Sequence, residues 1–247
     1  MKIIPYTEEM IQKARKKAFE LGKLNNSITR GKGNIMQGDR QDIWLVDLID
    51  EHLYSTFNPP TKGVFYPSTL SNKCDRAVWL AYHGHMPELP LPSNLARIFQ
   101  NGSSLEDRVS KWFTDLGILQ DREVVVKNDD PPISGRIDFI INHKHYGLMP
   151  VELKSINTAG FSKLKGAKED HYTQLQIYLN LAEYPIGTVL YENKNDQKIK
   201  AFFVERDEEF WSMMVRRCLN ISNMKTLPEK CGGLFYCNCR QVKGIEV

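Results

Sequence analysis

A chain of 247 residues, 41% hydrophobic and 26% charged, has enough apolar material to bury a sizeable core and is expected to form one main domain with an appendage. No apolar run comes near the roughly 18 residues of a membrane span, and the start, MKIIPYTEEMIQKARKK, lacks the apolar centre of a secretion signal, so neither a membrane nor a secreted protein is expected, and a cytoplasmic one is. The net charge of +3 and a pI near 8.5 permit a polyanionic partner without demanding one.

In chain order, residues 1–60 read as a helical extension, broken by the polar, glycine-bearing LGKLNNSITRGKGNIMQGDRQD and resumed in IWLVDLIDEHLYSTF. FNPPTKGVFYP, with three prolines and a glycine, marks a boundary, and residues 61–247 are assigned to the main domain. PSTLSNKCDRAVWLAYHG predicts a short helix capped by Ser68 and containing Cys74; MPELPLPSN predicts a proline-rich connection. LARIFQNGSSLEDRVSKWFTDLG predicts a long amphipathic helix, with Ile98, Leu105, Val109, Trp112 and Leu116 on one stripe and Gly102 and Glu106 on a shared face. REVVVKN and a hairpin follow, then a basic loop, SINTAGFSKLKGAKEDHYT. HYTQLQIYLNLAEYP predicts a helix ended by Pro185, IGTVLYEN and IKAFFVERD predict two strands about the turn KNDQ, and DEEFWSMMVRRCLNISNMK predicts a last helix. This alternation predicts an α/β fold with a mixed sheet.

The hairpin, GRIDFIINHKHYGLMPVELKS, carries the chemistry. Side chains alternate along a strand, so Glu152 and Lys154 share one face while Val151 and Leu153 take the other. With the loop centred on His145, Asp138 lies directly across from Glu152, and Ile137, Phe139, Ile141, Met149, Val151 and Leu153 form an apolar face. Directly opposed residues have Cβ atoms roughly 5 Å apart, close enough for two carboxylates to share a divalent cation. On the hairpin alone, a solvated charged face is an equally good account.

Glu106 after Gly102, Asp138 in GRID, Glu152-Leu-Lys154, and Gln174-Leu-Gln-Ile-Tyr178 together resemble, in order, the motifs of the PD-(D/E)XK nuclease superfamily, specifically its RecB-like branch. The similarity spans about residues 65–240. It implies a restriction-endonuclease-like α/β core, with a mixed central sheet flanked by helices. It further implies Mg²⁺ or Mn²⁺ held by Asp138 and Glu152, with Glu106 as a further or water-mediated ligand. Lys154 would orient water or stabilise developing charge, and Gln174 and Tyr178 would position the strand or the lysine. The implied partner is DNA, single-stranded or with free ends, in a bacterial or phage-infected cell. An exonuclease is expected; a flap endonuclease of the same fold and an inert nucleic-acid-binding module remain alternatives.

Five cysteines in a reducing compartment point to metal binding, reactivity or burial rather than disulfides. A cysteine before the core and a group after it resemble the CRISPR-associated RecB-like exonucleases and AddB-type nucleases, which implies a 4Fe-4S cluster on Cys74, Cys231, Cys237 and Cys239. The same four thiolates suit Zn²⁺, and the spacing does not separate the two. Such a site ties a C-terminal tail to the segment before the core, and Cys218 is left as a buried thiol. His143 and His145 are placed near the active site but left out of it. Lys163, Lys165 and Lys168, in the basic loop, are candidate phosphate contacts, with a solvated loop as the rival account.

Overall fold

The computed structural model describes residues 43–53, 55–57, 60–86, 89–232, 237 and 239. Of the helical extension expected over residues 1–60, residues 1–42, which include its polar glycine-bearing stretch, lie outside the described residues. The chain divides into two compact units, one of residues 1–55 with 90–97 and the other of residues 56–89 with 98–247. In the first, helix α1 (Ile43–Leu53) carries Asp50, which accepts from Arg97 at 2.6 Å. Two short strands, β1 (Ser55–Phe57) and β2 (Leu89–Leu91), lie outside the main sheet, the second within the stretch expected to be a plain connection.

The second unit is built on five strands: β3 (Leu119–Asn128), β4 (Ile133–His143), β5 (Gly147–Ile156), β6 (Ile186–Asn193) and β7 (Ile199–Glu205), in that spatial order. β3, β4 and β5 are antiparallel neighbours, β5 and β6 run parallel, and β6 and β7 are antiparallel. The parallel pair needs a crossover, and α5 (Thr158–Ser162) and α6 (Glu169–Leu181) supply it. This is the mixed sheet flanked by helices that the sequence predicts, with α5 forming inside the basic loop.

Each sheet face has its own cover. Phe139, Ile141, Met149, Val151 and Leu153 pack under Leu105 and Val109 of α4 (Ser93–Asp115). Leu175 and Leu179 of α6 pack on Val189 and Tyr191 of the other face. α4 departs from the predicted stripe: Leu105 and Val109 are buried, but Ile98 is 45% and Trp112 39% exposed, and Leu116 lies beyond the helix. The stripe extends past the width of sheet that the helix covers.

The segment expected to be one helix capped by Ser68 is two. α2 (Pro67–Leu70) starts after Tyr66, and α3 (Asp75–Tyr82) has Cys74 as its N-cap residue, whose carbonyl accepts from Ala77 and Val78. The Cys74 sulfur is thereby placed at the mouth of α3 rather than on its flank. α3 packs with α7 (Glu208–Asn223) through Trp79, Leu80, Met214 and Ile221.

Candidate functional site

The hairpin register is as predicted, from His143↔Gly147 to Phe139↔Val151. One position further, where Asp138 would face Glu152, the ladder gives way: Asp138 Oδ2 accepts the Leu153 amide hydrogen at 2.8 Å. On its other side, the ladder passes from Arg122↔Phe139 to Val124↔Ile137, and Glu123, between them, has φ 55 in the left-handed region. A non-glycine residue held there in a strand is a local buckle. The sheet is therefore open on both sides of Asp138.

Burial decides against the solvated-face account. Glu152 is 2% exposed; one oxygen, Oε1, lies 2.5 Å from Lys154 Nζ, and the other, Oε2, is buried with no hydrogen-bond partner. Burial raises the Glu152 carboxyl above its usual range despite Lys154. Burial, with Glu152 next, pushes Asp138 up to about 7. Glu106 is also raised, by burial and then by Asp138. Burial acts to lower Lys154, but the charges of Glu152, Asp138 and Asp170 outweigh it and its pKa is raised. Carboxylates that repel one another around an unpartnered buried oxygen could serve as donors to a hard divalent cation. Among the described residues only the cysteines form a group of three or more ligand atoms all within 4.8 Å, so Glu106, Asp138 and Glu152 are not all drawn together that tightly.

Gln174 and Tyr178 lie on one face of α6, 8% and 6% exposed. Burial raises the Tyr178 hydroxyl, and Glu152 and Asp138 raise it further. Gly135 of the GRID stretch is required by this packing: a Cβ there would sit 2.6 Å from Tyr178 Cε1 and 2.8 Å from Pro67 Cγ.

Two neighbours escaped the sequence reading. His171 lies on the same helical face as Gln174 and Tyr178, a spacing that could have exposed it; Nδ1 is 2.8 Å from the Tyr191 hydroxyl, and burial pushes its pKa down to about 4. Arg136, two residues before Asp138 and hence on its strand face, pairs with Glu123 at 2.9 Å. His143 and His145 do not belong here: at the hairpin tip His143 stacks on Tyr146 and lies 5.7 Å from His145 between ring centroids, roughly 17 Å along the strand from Asp138. Lys163 is the C-cap of α5, Lys165 lines a hollow along β7, and Lys168 caps α6 with its side chain 3.6 Å from Asp170.

The four cysteines converge. Sγ atoms of Cys74, Cys231, Cys237 and Cys239 all lie within 4.8 Å of one another, with Cys231 and Cys239 at 3.5 Å, too far for a disulfide. Burial raises the Cys74 thiol and pushes Cys237 up to about 12, a cost that a metal removes by binding the thiolate. The approach to this centre is clamped: Arg76 donates to the Pro228 carbonyl at 2.7 Å and Trp79 to that of Met224 at 3.0 Å. Arg217 bonds the carbonyls of Leu70 and Asn72 and the Asp75 carboxylate. Cys218 is fully buried among Met214 and Ile221, outside the group.

No protein-family model matches the chain, and no curated protein does. Among solved structures it is similar to the alkaline exonuclease LHK-Exo of Laribacter hongkongensis, at 14% identity over 65% of this chain and 86% of that one, with a TM-score of 0.47. It is similar to SSO0001 at 18% identity over 76% and 88%, with a TM-score of 0.44. A phage-related exonuclease of Haemophilus somnus 129PT matches at 16% over 50% and 68%, with a TM-score of 0.38. Among the described residues no helix is long and apolar enough to cross a membrane.

Proposed function

We propose that the chain is a metal-dependent deoxyribonuclease of the PD-(D/E)XK type that degrades DNA from a free end. The observation that carries this is Glu152: a carboxylate buried beside Asp138, bonded to Lys154 by one oxygen and unpartnered at the other. Asp138 and Glu152 hold the cation, Mg²⁺ or Mn²⁺, with Glu106 as a further or water-mediated ligand. A divalent cation so bound supplies Lewis-acid polarisation of a phosphodiester and makes water a better nucleophile. Lys154, kept protonated by its neighbours, holds positive charge where the phosphate gains negative charge. Tyr178 and Gln174 wall the cleft and fix the orientation of Lys154. The partner is DNA, single-stranded or with a free end.

The cysteine centre is proposed as a structural metal site that ties the tail to α3. The resemblance implies a 4Fe-4S cluster there, whereas the four sulfurs, all within 4.8 Å of one another, are spaced for a single tetrahedral Zn²⁺ and not for thiolates on four separate irons. The test of the function is cleavage of end-labelled linear DNA and of a closed single-stranded circle with Mn²⁺. Loss of the linear form and survival of the circle is the expected result; efficient cutting of the circle would replace the exonuclease with an endonuclease, and no cleavage of either would remove the nuclease.

A further inference from the structure

The chemistry above leaves unused a polar groove at the end of β5. One wall is the α4 face bearing Asn101, Ser104 and Arg108; the other is Ser155 with Glu192, Lys194 and Gln197. It encloses about 340 Å³, at the small end of ligand sites. That is room for one nucleotide.

Its floor is fixed. Glu192, 5% exposed, accepts from Arg108 Nη2 at 2.6 Å on both oxygens, and Gln197 Oε1 accepts from the same nitrogen at 3.4 Å. A buried carboxylate thus pins the guanidinium, whose Nη1 and Nε hydrogens take no part in these bonds. Trp112 backs it, with Arg108 Cζ 5.5 Å from the ring centroid. The rim is tied too: Lys194 N–H donates to the Ile156 carbonyl at 2.8 Å, and the buried Asn193 accepts from the Thr158 hydroxyl at 3.2 Å.

The charges of Arg108 and Glu192 cancel, so Lys194 leaves the groove singly positive amid neutral amides and hydroxyls. One cation for a phosphate, neutral donors for the sugar–phosphate chain and a flat guanidinium backed by an aromatic ring for a base are the elements of single-strand recognition. Position agrees. Ser155 follows Lys154, about 3.8 Å away between Cα atoms, and points to the opposite side of the sheet. A strand leaving the cation site over the end of β5 enters the groove.

We propose that this groove is a subsite for one nucleotide of single-stranded DNA next to the scissile phosphate, a proposal that rests on the nuclease reading and assigns its substrate. The experiment is anisotropy of a labelled 12-mer oligothymidylate in EDTA, so that binding is read without cleavage. The Asn101→Ala/Lys194→Ala/Gln197→Ala protein is expected to bind about tenfold more weakly, with its salt slope reduced by about 0.7 because one phosphate is no longer neutralised by Lys194. Affinity for a blunt duplex of the same length should hold within twofold. The Arg108→Gln/Glu192→Gln protein, which keeps a hydrogen-bonded pair in the floor, should lose about fivefold, the low end of one base stacked on a flat side chain. Unchanged oligothymidylate affinity in the triple variant overturns the subsite, and an equal loss on the duplex overturns its single-strand assignment. Wild-type protein that binds through the groove but never cleaves with Mn²⁺ keeps the subsite and loses the nuclease; wild-type cleavage with unaltered variant binding does the reverse.

Discussion

The Asp138 carboxylate takes the Leu153 amide hydrogen at 2.8 Å, at the position where β4 and β5 cease to pair. A side chain has replaced a ladder carbonyl. It holds Asp138 beside Glu152 with no adjustable loop between them, so substitutions here should act on chemistry more than on binding. Asp138→Ala, Glu152→Ala and Lys154→Ala are each expected to lower the cleavage rate by about a hundredfold or more. Oligonucleotide affinity should stay near that of the wild type. Near-normal turnover by the Glu152→Ala protein, measured with Mn²⁺, would remove the assignment.

Asp138 also sets a pH dependence. Its pKa is raised from an ordinary 3.8 to about 7 in the folded protein, by burial and then by Glu152. The folded state therefore binds this proton more tightly than the unfolded chain. The resulting stability is complete below the ordinary value and is lost as pH rises through 7. In EDTA the Tm should fall between pH 5 and pH 8, and the Tm gain from Mn²⁺ should grow over the same interval, as proton and cation compete for one carboxylate. Asp138→Asn should flatten both trends. A metal-free Tm that does not vary over this range would refute the coupling.

Gly135→Ala tests the packing of α6 on the hairpin. The new methyl meets Tyr178 Cε1 at 2.6 Å and Pro67 Cγ at 2.8 Å, and neither belongs to a flexible chain end. A loss of about 1–3 kcal/mol is expected from urea unfolding, as for overpacking elsewhere. Cleavage should fall as well, because Tyr178 cannot stay where it is. A stability equal to the wild type would show that the methyl is accommodated freely.

For the cysteine centre, metal analysis separates the two readings: a 4Fe-4S cluster makes anaerobically purified protein brown, with broad absorption near ~400 nm and about four irons, and a single zinc leaves it colourless. Cys74→Ser should lose the metal and loosen the tail, seen as early proteolysis after residue 224. Cys218→Ser should leave both unchanged. One zinc and no iron would assign a single tetrahedral ion, which the 3.5 Å sulfur separation already suits.

Lys163→Ala, Lys165→Ala and Lys168→Ala together should weaken single-strand binding and lower its salt slope, by about 0.7 for each phosphate that a lysine neutralises, without altering base preference. An unchanged slope returns the three to a solvated surface.

Periodicity made the strands legible: alternation in GRIDFII and LMPVELK yields the register, because a one-residue slip would turn Phe139 and Val151 outward. It could not show that the charged face is buried, since α6 covers it from thirty residues along the chain and a solvated strand has the same pattern. Cys74 was misplaced within a helix because the break at Ser71 to Lys73 has no proline or glycine to announce it. Arg108 and Glu192 are the far case. Nothing local joins a helix residue to the end of a strand 84 positions away, and only the packed fold brings them to 2.6 Å.

Asp138 and Glu152 rise from strands with neighbours on both sides, whereas Asn101, Lys194 and Gln197 of the groove and the three loop lysines belong to a helix face, a turn and a connecting segment. On the proposed function, the reaction is set in the middle of the sheet and the choice of substrate at its margins. Descendants of this chain could therefore exchange one kind of nucleic-acid end for another by rewriting a handful of peripheral positions, while inheriting the hydrolytic centre unaltered.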